Sequence, residues 1–500
     1  MTQKREGFIK RLLHKWQQRG ALTPEERMPR LRRNIRLMLM VFVCAFVALL
    51  GYFTYSVTIN GARWSENPYN TRLNNEKQRI VAGSILDRNG KVLAETPAGQ
   101  KGERTYPLGH HAAHVVGYDH DKFGRAGAEA VFYRKLLGMD RSLLERVLQA
   151  LRLPEEKGDD VVLTLDADIQ TAASKAFDNA GLQGACVLLD ARTGETLAMV
   201  AKPDFNPSKL DTLWEAEQKE PSGEGILVNR ATQGLYPPGS AFKLITASAV
   251  LRYMPAAAEE IYTCTGEIEI DGHMIYCYHN AAHGTIGMNE ALAVSCNVYF
   301  AHMAERLGGA HIQAEAERWG FNNDFLFSDI RVGVSSYTQP KEINALAWSA
   351  IGQDKDLVTP IHMAMIAGAI ANNGDMMEPK LVYEVRTATQ RPTLTLRSKV
   401  FTHVDANITQ LQEAMELTVK SGTAGRLRTS KLKNLTMGGK TGTAEKVTSK
   451  GKVNESWFVG YCDTGERLLA IAVVVEDTTK AASSVAVPIA AKVFEAALGK

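Results

Sequence analysis

Hydrophobic and polar positions follow three patterns along this chain, and each predicts a different part of it. From Leu37 to Val57 the sequence LMLMVFVCAFVALLGYFTYSV runs for 21 residues without a charge, about the length that crosses a bilayer as one helix. Upstream, FIKRLLHKW (residues 8–16) puts Phe8, Ile9, Leu12, Leu13 and Trp16 on one helical face and the basic residues on the other. That is the pattern of a short amphipathic helix on a membrane surface, although a solvated helix or tail reads the same way. Downstream, short apolar runs alternate with turns. GSILDRNGKVLAET (83–96) reads as a hairpin turning on Asp87–Gly90, since Asn-Gly is a strong turn signal. A strand passing into a helix follows at 161–177, and two apolar strands lie within 184–203. Helical patterns fill 139–152, 240–253, 288–307, 341–350 and 360–373. The end returns to strands (WFVGYC, then RLLAIAVVVED) and closes on a helix near Pro488. Strands first, helices in the middle and strands last predict an α/β layered domain whose sheet uses both ends of the chain.

Charge sharpens this division. The first 36 residues hold eleven Lys/Arg against three acids, while the whole chain nets only +3, so the remainder is mildly acidic. A basic stub before one apolar span predicts a single-pass anchor with its N-terminus in the cytoplasm and everything after about residue 58 outside. It argues against nucleic acid as a partner. The chain divides into a basic tail (1–36), a transmembrane anchor (37–57), a small mixed α+β domain (58–157) and a large domain (158–500), with a polar break at PEEKGDD (154–160).

Six cysteines add one further candidate. Cys186, Cys296 and Cys462 fall in apolar stretches and read as buried thiols, and Cys44 lies in the span. Cys264 and Cys277 flank CTGEIEIDGHMIYC. Outside the cytoplasm that spacing suits a disulfide closing a hairpin, with two free thiols or a weak metal site as alternatives. No Cys/His set has zinc-ligand spacing, so neither a structural metal nor a cofactor is expected. His110, His111, His114 and His120 read as solvated or structural.

The chemistry gathers at LYPPGSAFKLITASAV (235–250). Pro-Pro-Gly turns the chain, and Ser240 then opens an apolar helix with Lys243 on the same face. A serine hydroxyl needs a base to become a nucleophile, and a buried lysine can become neutral enough to serve. Free N–H groups in a first helical turn favour the negative charge that develops. Ser-x-x-Lys alone is weak, since it recurs at Ser430/Lys433 and Ser449/Lys452. Order makes the case. Ser240-x-x-Lys243 is followed by Ser295-Cys296-Asn297 after 55 residues and by Lys440-Thr441-Gly442 after a further 145.

These three motifs resemble those of penicillin-binding proteins. Beyond them, GDDVVLTLDADIQ, GACVLLDARTGETLAMVAKPDFNPS, NRATQGLYPPGSAFK, IGQDKDLVTPIHMA, SGTAG and WFVGY resemble further blocks of the class B branch, across residues 75–500. SILDRNGKVLA and GRAGAEAVFYRKLLG resemble its membrane-proximal pedestal, and the short pedestal together with the Cys264–Cys277 pair looks most like the penicillin-binding protein A subgroup. Ala241 and Ala82 depart from the usual Thr and Arg. The resemblance implies a serine β-lactamase-like transpeptidase domain, a sheet flanked by helices, carried on a pedestal and an anchor in a bacterial cell membrane. It implies a D,D-transpeptidase that cross-links peptidoglycan stem peptides during cell-shape maintenance or division and is trapped by β-lactams. A D,D-carboxypeptidase, a β-lactamase and a non-catalytic β-lactam-binding scaffold or sensor are the alternatives.

Roles carry over residue by residue. Ser240 attacks, Lys243 takes its proton, and the N–H groups of Ser240 and Thr443 form the oxyanion hole. Ser295 and Lys440 relay a proton to the leaving D-alanine. Cationic Lys440, with Thr441 and Thr443, holds the substrate carboxylate, Asn297 holds the peptide, and Gly442 lets a backbone come close to the ligand. Glu445 reads as a solvated or salt-bridged side chain. No polymerase module is evident, so an integral-membrane glycosyltransferase is the expected partner.

Overall fold

The structure is a computed structural model and describes residues 24–65, 79–97, 99–141, 151, 157–219, 221–353, 355–448 and 451–499. The amphipathic pattern at 8–16 and most of the helical pattern at 139–152 lie outside the described residues. The chain forms two compact units, 1–73 and 74–500.

In the first unit one helix runs from Pro24 to Ser65. Its apolar window, Arg32–Ser56, is 25 residues with a mean hydropathy of 2.4. At about 1.5 Å per residue that exceeds the roughly 30 Å of a hydrocarbon core. The helix starts 13 residues before the predicted anchor, so residues 24–36 are helical and continuous with the span.

In the second unit the apolar runs form an antiparallel sheet of five strands: β1 (Gly184–Asp190), β2 (Thr196–Lys202), β3 (Thr436–Thr448), β4 (Gly451–Asp463) and β5 (Leu468–Thr478), in the order β3-β4-β5-β1-β2. Both chain ends of the domain contribute, as predicted. Side chains alternate faces along a strand. In β5, Ala470, Ala472 and Val474 enter one core, and Leu469, Ile471, Val473 and Val475 enter the other. Both faces are buried, which is why these strands read as continuous apolar runs rather than alternating ones. Helices α1 (Ala167–Asp178) and α2 (Lys243–Tyr253) belong to opposite layers. On one side α1 packs with α7 (Ala486–Ala497) through Ile169, Phe177, Val493 and Phe494. The other layer holds α2, α3 (Met288–Ala293), α4 (Asn297–Leu307), α5 (Pro360–Ala371) and α6 (Ile408–Lys420).

A second five-stranded sheet joins the pedestal to this domain, in the order 392–395, 382–386, 160–163, 85–86, 92–94. The predicted hairpin forms, with Ile85–Leu86 antiparallel to Val92–Ala94. The Asp87 carboxylate accepts the N–H groups of Asn89 (2.8 Å) and Lys91 (2.7 Å), and Gly90 takes φ +85°. The turn reaches the start of α1. Asp87 accepts Ala167 N–H at 3.1 Å, and Asn89 donates to Asp166 at 3.0 Å. Asp166 itself caps α1 by accepting the N–H groups of Asp168 and Ile169.

Asp166→Ala removes both the cap and the Asn89 contact. It is expected to cost about 1–2 kcal/mol, read by thermal unfolding of the detergent-solubilised chain. Asp166→Asn, which still caps, should retain most of that stability; an equal loss would refute the capping role.

Candidate active site

Trp457, fully buried in β4, donates its indole N–H to Pro237 O at 3.0 Å and so fixes the Pro-Pro-Gly turn. Gly239 follows at φ +53°. Ser240 lies in a 3₁₀ turn, Gly239–Phe242, and α2 begins at Lys243. In 3₁₀ geometry residues i and i+3 eclipse, which stacks Ser240 and Lys243 on one edge. Lys243 through Leu251 are all buried, while Ser240 is half-exposed.

The hydrogen bonds of Lys243 go to the second motif rather than to Ser240. Its Nζ donates to Ser295 O (2.8 Å), Ser295 Oγ (3.3 Å) and Asn297 Oδ1 (2.6 Å). The single helix predicted over 288–307 is in fact two, α3 and α4, and the break is at Ser295, φ +60°. A non-glycine residue held there costs about 1–3 kcal/mol. Lys243 offsets this by binding both the carbonyl and the hydroxyl that the break presents.

The third motif arrives on β3. Lys440 Nζ donates to Ser295 Oγ at 2.9 Å and to Thr441 O at 2.7 Å. The Thr441 hydroxyl meets that of Thr423 at 2.6 Å. Burial is the main cause that lowers both lysines. Lys243 falls to about 8, and Lys440 falls well below the ordinary lysine value, with the charge of Lys243 pushing it further. Burial and the neighbouring charge of Lys243 both disfavour an ammonium at Lys440.

Gly442 makes room within the protein itself. A Cβ there would lie 2.7 Å from Pro238 O and 3.0 Å from Ala241 N, so the backbone it admits is the nucleophile turn. Gly352 (φ +77°) makes the same contact from the other side, its absent Cβ 2.1 Å from Gly239 O. Next to it, Gln353 donates to Thr443 O at 2.7 Å and accepts Glu445 N–H at 3.4 Å. Gln353 was not singled out from sequence. Its only signal was the Gly-Gln pair in IGQDKD. Glu445 is exposed and ion-paired with Lys452 at 3.3 Å, as expected.

The cysteine expectations are corrected. Cys264, Cys277 and Cys296 are free thiols, with Cys277 Sγ 3.7 Å from each of the other two, far beyond a disulfide bond. His283 Nδ1 is 3.5 Å from Cys264 Sγ, and the four ligand atoms lie within 4.8 Å of one another. The expectation of no metal-ligand cluster rested on linear spacing, but these donors come from separate segments that only the fold gathers. Cys186 and Cys462 are buried thiols as predicted. Burial takes His114 down to about 4, and the ring contacts Ile226 O at 2.8 Å, a structural role.

A half-exposed serine one short turn before a buried lysine, which shares the hydroxyl of a second serine with another buried lysine, is an arrangement suited to acyl transfer. Residues 184–495 match the penicillin binding protein transpeptidase domain, and residues 82–161 match the penicillin binding protein A dimerisation domain. The chain belongs to the penicillin-binding protein transpeptidase family. It is 28% identical to the peptidoglycan D,D-transpeptidase MrdA of Acinetobacter baumannii, over 75% of this chain and 63% of that protein. Identity is also 28% to the peptidoglycan D,D-transpeptidase PbpA of Mycolicibacterium smegmatis, over 89% of this chain and 93% of that protein. The chain thus spans just under two thirds of the length of MrdA and nearly all of PbpA. An imipenem acyl-enzyme structure of penicillin-binding protein A from Mycobacterium tuberculosis superposes with a TM-score of 0.78 at 27% identity, covering 85% of this chain and all of that one.

Gly442→Ala forces a methyl group against the Pro238 carbonyl and is expected to destabilise the domain by about 1–3 kcal/mol, measured by thermal unfolding. Unchanged stability would show that β3 and the nucleophile turn can separate freely.

Proposed function

We propose that this chain is a membrane-anchored peptidoglycan D,D-transpeptidase with Ser240 as its nucleophile. The observation that carries this reading is the Ser295 hydroxyl, bound at once by Lys440 and by Lys243, the lysine three residues after Ser240. Lys243, lowered by burial, takes the Ser240 proton as the serine attacks the carbonyl between the two terminal D-alanines of a stem peptide. The N–H groups of Ser240 and Thr443 receive the oxyanion. Loss of one such donor typically costs about 10²–10³ in rate. Gln353 holds the Thr443 carbonyl and so sets the peptide that follows it.

Ser295 stands between the two lysines, where it can pass a proton to the departing D-alanine. The substrate carboxylate binds at Lys440, Thr441 and Thr443, and its charge restores an ammonium at Lys440. Asn297 already accepts from Lys243 and donates to Tyr276 O at 2.9 Å. One N–H and one lone pair remain for the donor peptide. An amine of a second stem peptide then takes the acyl group. β-Lactams, which mimic D-alanyl-D-alanine, acylate Ser240. The basic residues before the span place the N-terminus in the cytoplasm and the site outside. An integral-membrane glycosyltransferase supplies the strands. Cross-linking in mild detergent should recover it with the full chain, and its absence would remove that partner.

Full-length chain in detergent treated with a fluorescent penicillin should carry a long-lived adduct on Ser240, located by peptide mass spectrometry and missing in Ser240→Ala. An adduct that clears within seconds, with hydrolysed drug, would mark a β-lactamase instead. No adduct on folded protein would leave the scaffold reading.

The base must be neutral, and Lys243 loses its proton near pH 8. The acylation rate should therefore rise with pH, by about tenfold per unit below that value, and level off above it. A profile flat from pH 6 to 9 would exclude Lys243 as the base.

A further inference from the structure

Between Glu416 and Glu445 the chain holds no acidic residue, yet it holds Lys420, Arg426, Arg428, Lys431, Lys433 and Lys440. Lys440 belongs to the site already described, and Lys420 lies in the last turn of α6, where a cation suits the helix dipole. The other four fall in one loop, in the repeated pattern Arg-Leu-Arg (426–428) and Lys-Leu-Lys (431–433). Such a loop stands out against a chain that is mildly acidic beyond residue 36.

The repeat has a structural meaning. Its two central leucines, Leu427 and Leu432, are fully buried and join the core that holds Val493 and Phe494 of α7. Between them the Thr429 hydroxyl donates to Glu495 Oε1 of α7 at 2.5 Å. The backbone closes two successive turns, with Arg428 N–H donating to Gly425 O (3.2 Å) and Lys433 N–H to Thr429 O (2.9 Å). The loop is thus pinned to α7 at three points, and the cations that flank the pins are left outside. Arg426, Arg428, Lys431 and Lys433 are all exposed. Among the described residues the one ion pair they make is Lys431 with Glu495, at 3.8 Å.

Like charges gathered on one short loop repel one another, and the loop holds no acid to offset them. An anion from outside does so. The two arginines offer planar forks that bind carboxylates bidentately, and the two lysines offer mobile point charges.

Position selects the anion. Three residues before Arg426, the Thr423 hydroxyl meets that of Thr441 at 2.6 Å, and Thr423 N–H donates to Ala293 O at 3.2 Å. Three residues of chain reach at most about 11 Å, so the loop starts close to the part of β3 assigned above to the substrate carboxylate. A stem peptide that ends in D-alanyl-D-alanine ends in a carboxylate. A glycan strand carries many such stems, so a strand awaiting cross-linking is a polyanion with its charges at peptide ends.

We propose that the loop 426–433 is a docking surface for acidic peptide, namely the carboxylate-ended stems that neighbour the one in the site. Several weak contacts to one strand raise the effective concentration of its next stem at Ser240. Taking stem peptides as the anion rests on the function proposed above; the basic loop does not.

The test uses full-length Ser240→Ala in detergent, so that binding is read without acyl transfer, and a fluorescent, soluble, uncross-linked glycan–peptide strand followed by anisotropy. Adding R426Q/R428Q/K431Q/K433Q, checked for folding by thermal unfolding, should weaken binding by about tenfold or more at about 50 mM salt. The halves R426Q/R428Q and K431Q/K433Q should each lose a part of that. K209Q/K219Q/K341Q/R397Q removes the same charge from exposed positions elsewhere and should bind as the parent does. At about 1 M salt, where charges are screened beyond about 3 Å, the difference should disappear. Equal binding by the loop variants and the parent, or an equal loss in the variant altered elsewhere, overturns the loop. A phosphodiester polymer or an anionic vesicle that binds the loop more tightly than the strand does overturns the choice of partner.

Penicillin labelling of Ser240, in chains that retain it, should reach the same extent with and without the four cations. Labelling absent from both would sink the function proposed above and leave loop-dependent strand binding standing. Normal labelling with binding indifferent to the loop would do the reverse.

Discussion

Two buried lysines share one serine hydroxyl, and the rest of the catalytic layer is arranged around that fact. Lys243 and Lys440 both donate to Ser295 Oγ, which holds their nitrogens within about 6 Å of each other. Two full charges at that separation repel by about 3 kcal/mol at an effective dielectric of 20, before either pays for desolvation. A domain stable by about 5–15 kcal/mol does better to release a proton than to carry both. Burial and repulsion thus favour one neutral amine in the pair, and in the proposed mechanism a carboxylate beside Lys440 reverses that preference. In that mechanism substrate binding and base chemistry draw on the same electrostatic imbalance.

Three elements far apart in sequence must meet for this to happen, and glycine makes the meeting possible. β3 brings Lys440 to the nucleophile turn because Gly442 leaves room for the Pro238 carbonyl. Gly352 closes against Gly239 from the opposite side. Gln353 ties that loop to Thr443 and Glu445 on β3. Trp457, one strand further in, holds Pro237. The nucleophile turn is thus gripped on several sides, and Ser240 sits in a place that its own short turn would not hold alone.

The parts legible in the sequence were those set by local chemistry. Ser240 and Lys243 lie three residues apart on one helical edge, and Asn89-Gly90 marks its hairpin without help from the rest of the fold. Continuous apolar runs gave the central strands, because a strand buried on both faces has no polar side to alternate with. What could not be read was set by distant contacts. The helix pattern over 288–307 is unbroken in composition, yet Ser295 breaks it because Lys243 and Lys440 bind what the break exposes. Gln353 acts across 90 residues to Thr443. The cysteine cluster has no linear spacing to recognise, since its members come from three strand ends and a helix head. Its motif position, the middle of Ser295-Cys296-Asn297, drew attention to the flanking residues and away from the cysteine itself.

The pedestal and the catalytic domain are likewise less separable than a boundary at residue 157 implies. The strand 160–163 pairs in parallel with 85–86 on one side and antiparallel with 382–386 on the other. Take away the pedestal, and the first of those edges is bare, a template for unwanted pairing. The hairpin turn goes further, because Asp87 and Asn89 complete the cap of α1, and α1 packs under the central sheet. Load applied to the pedestal therefore reaches the sheet through hydrogen bonds to a helix terminus rather than through a flexible linker.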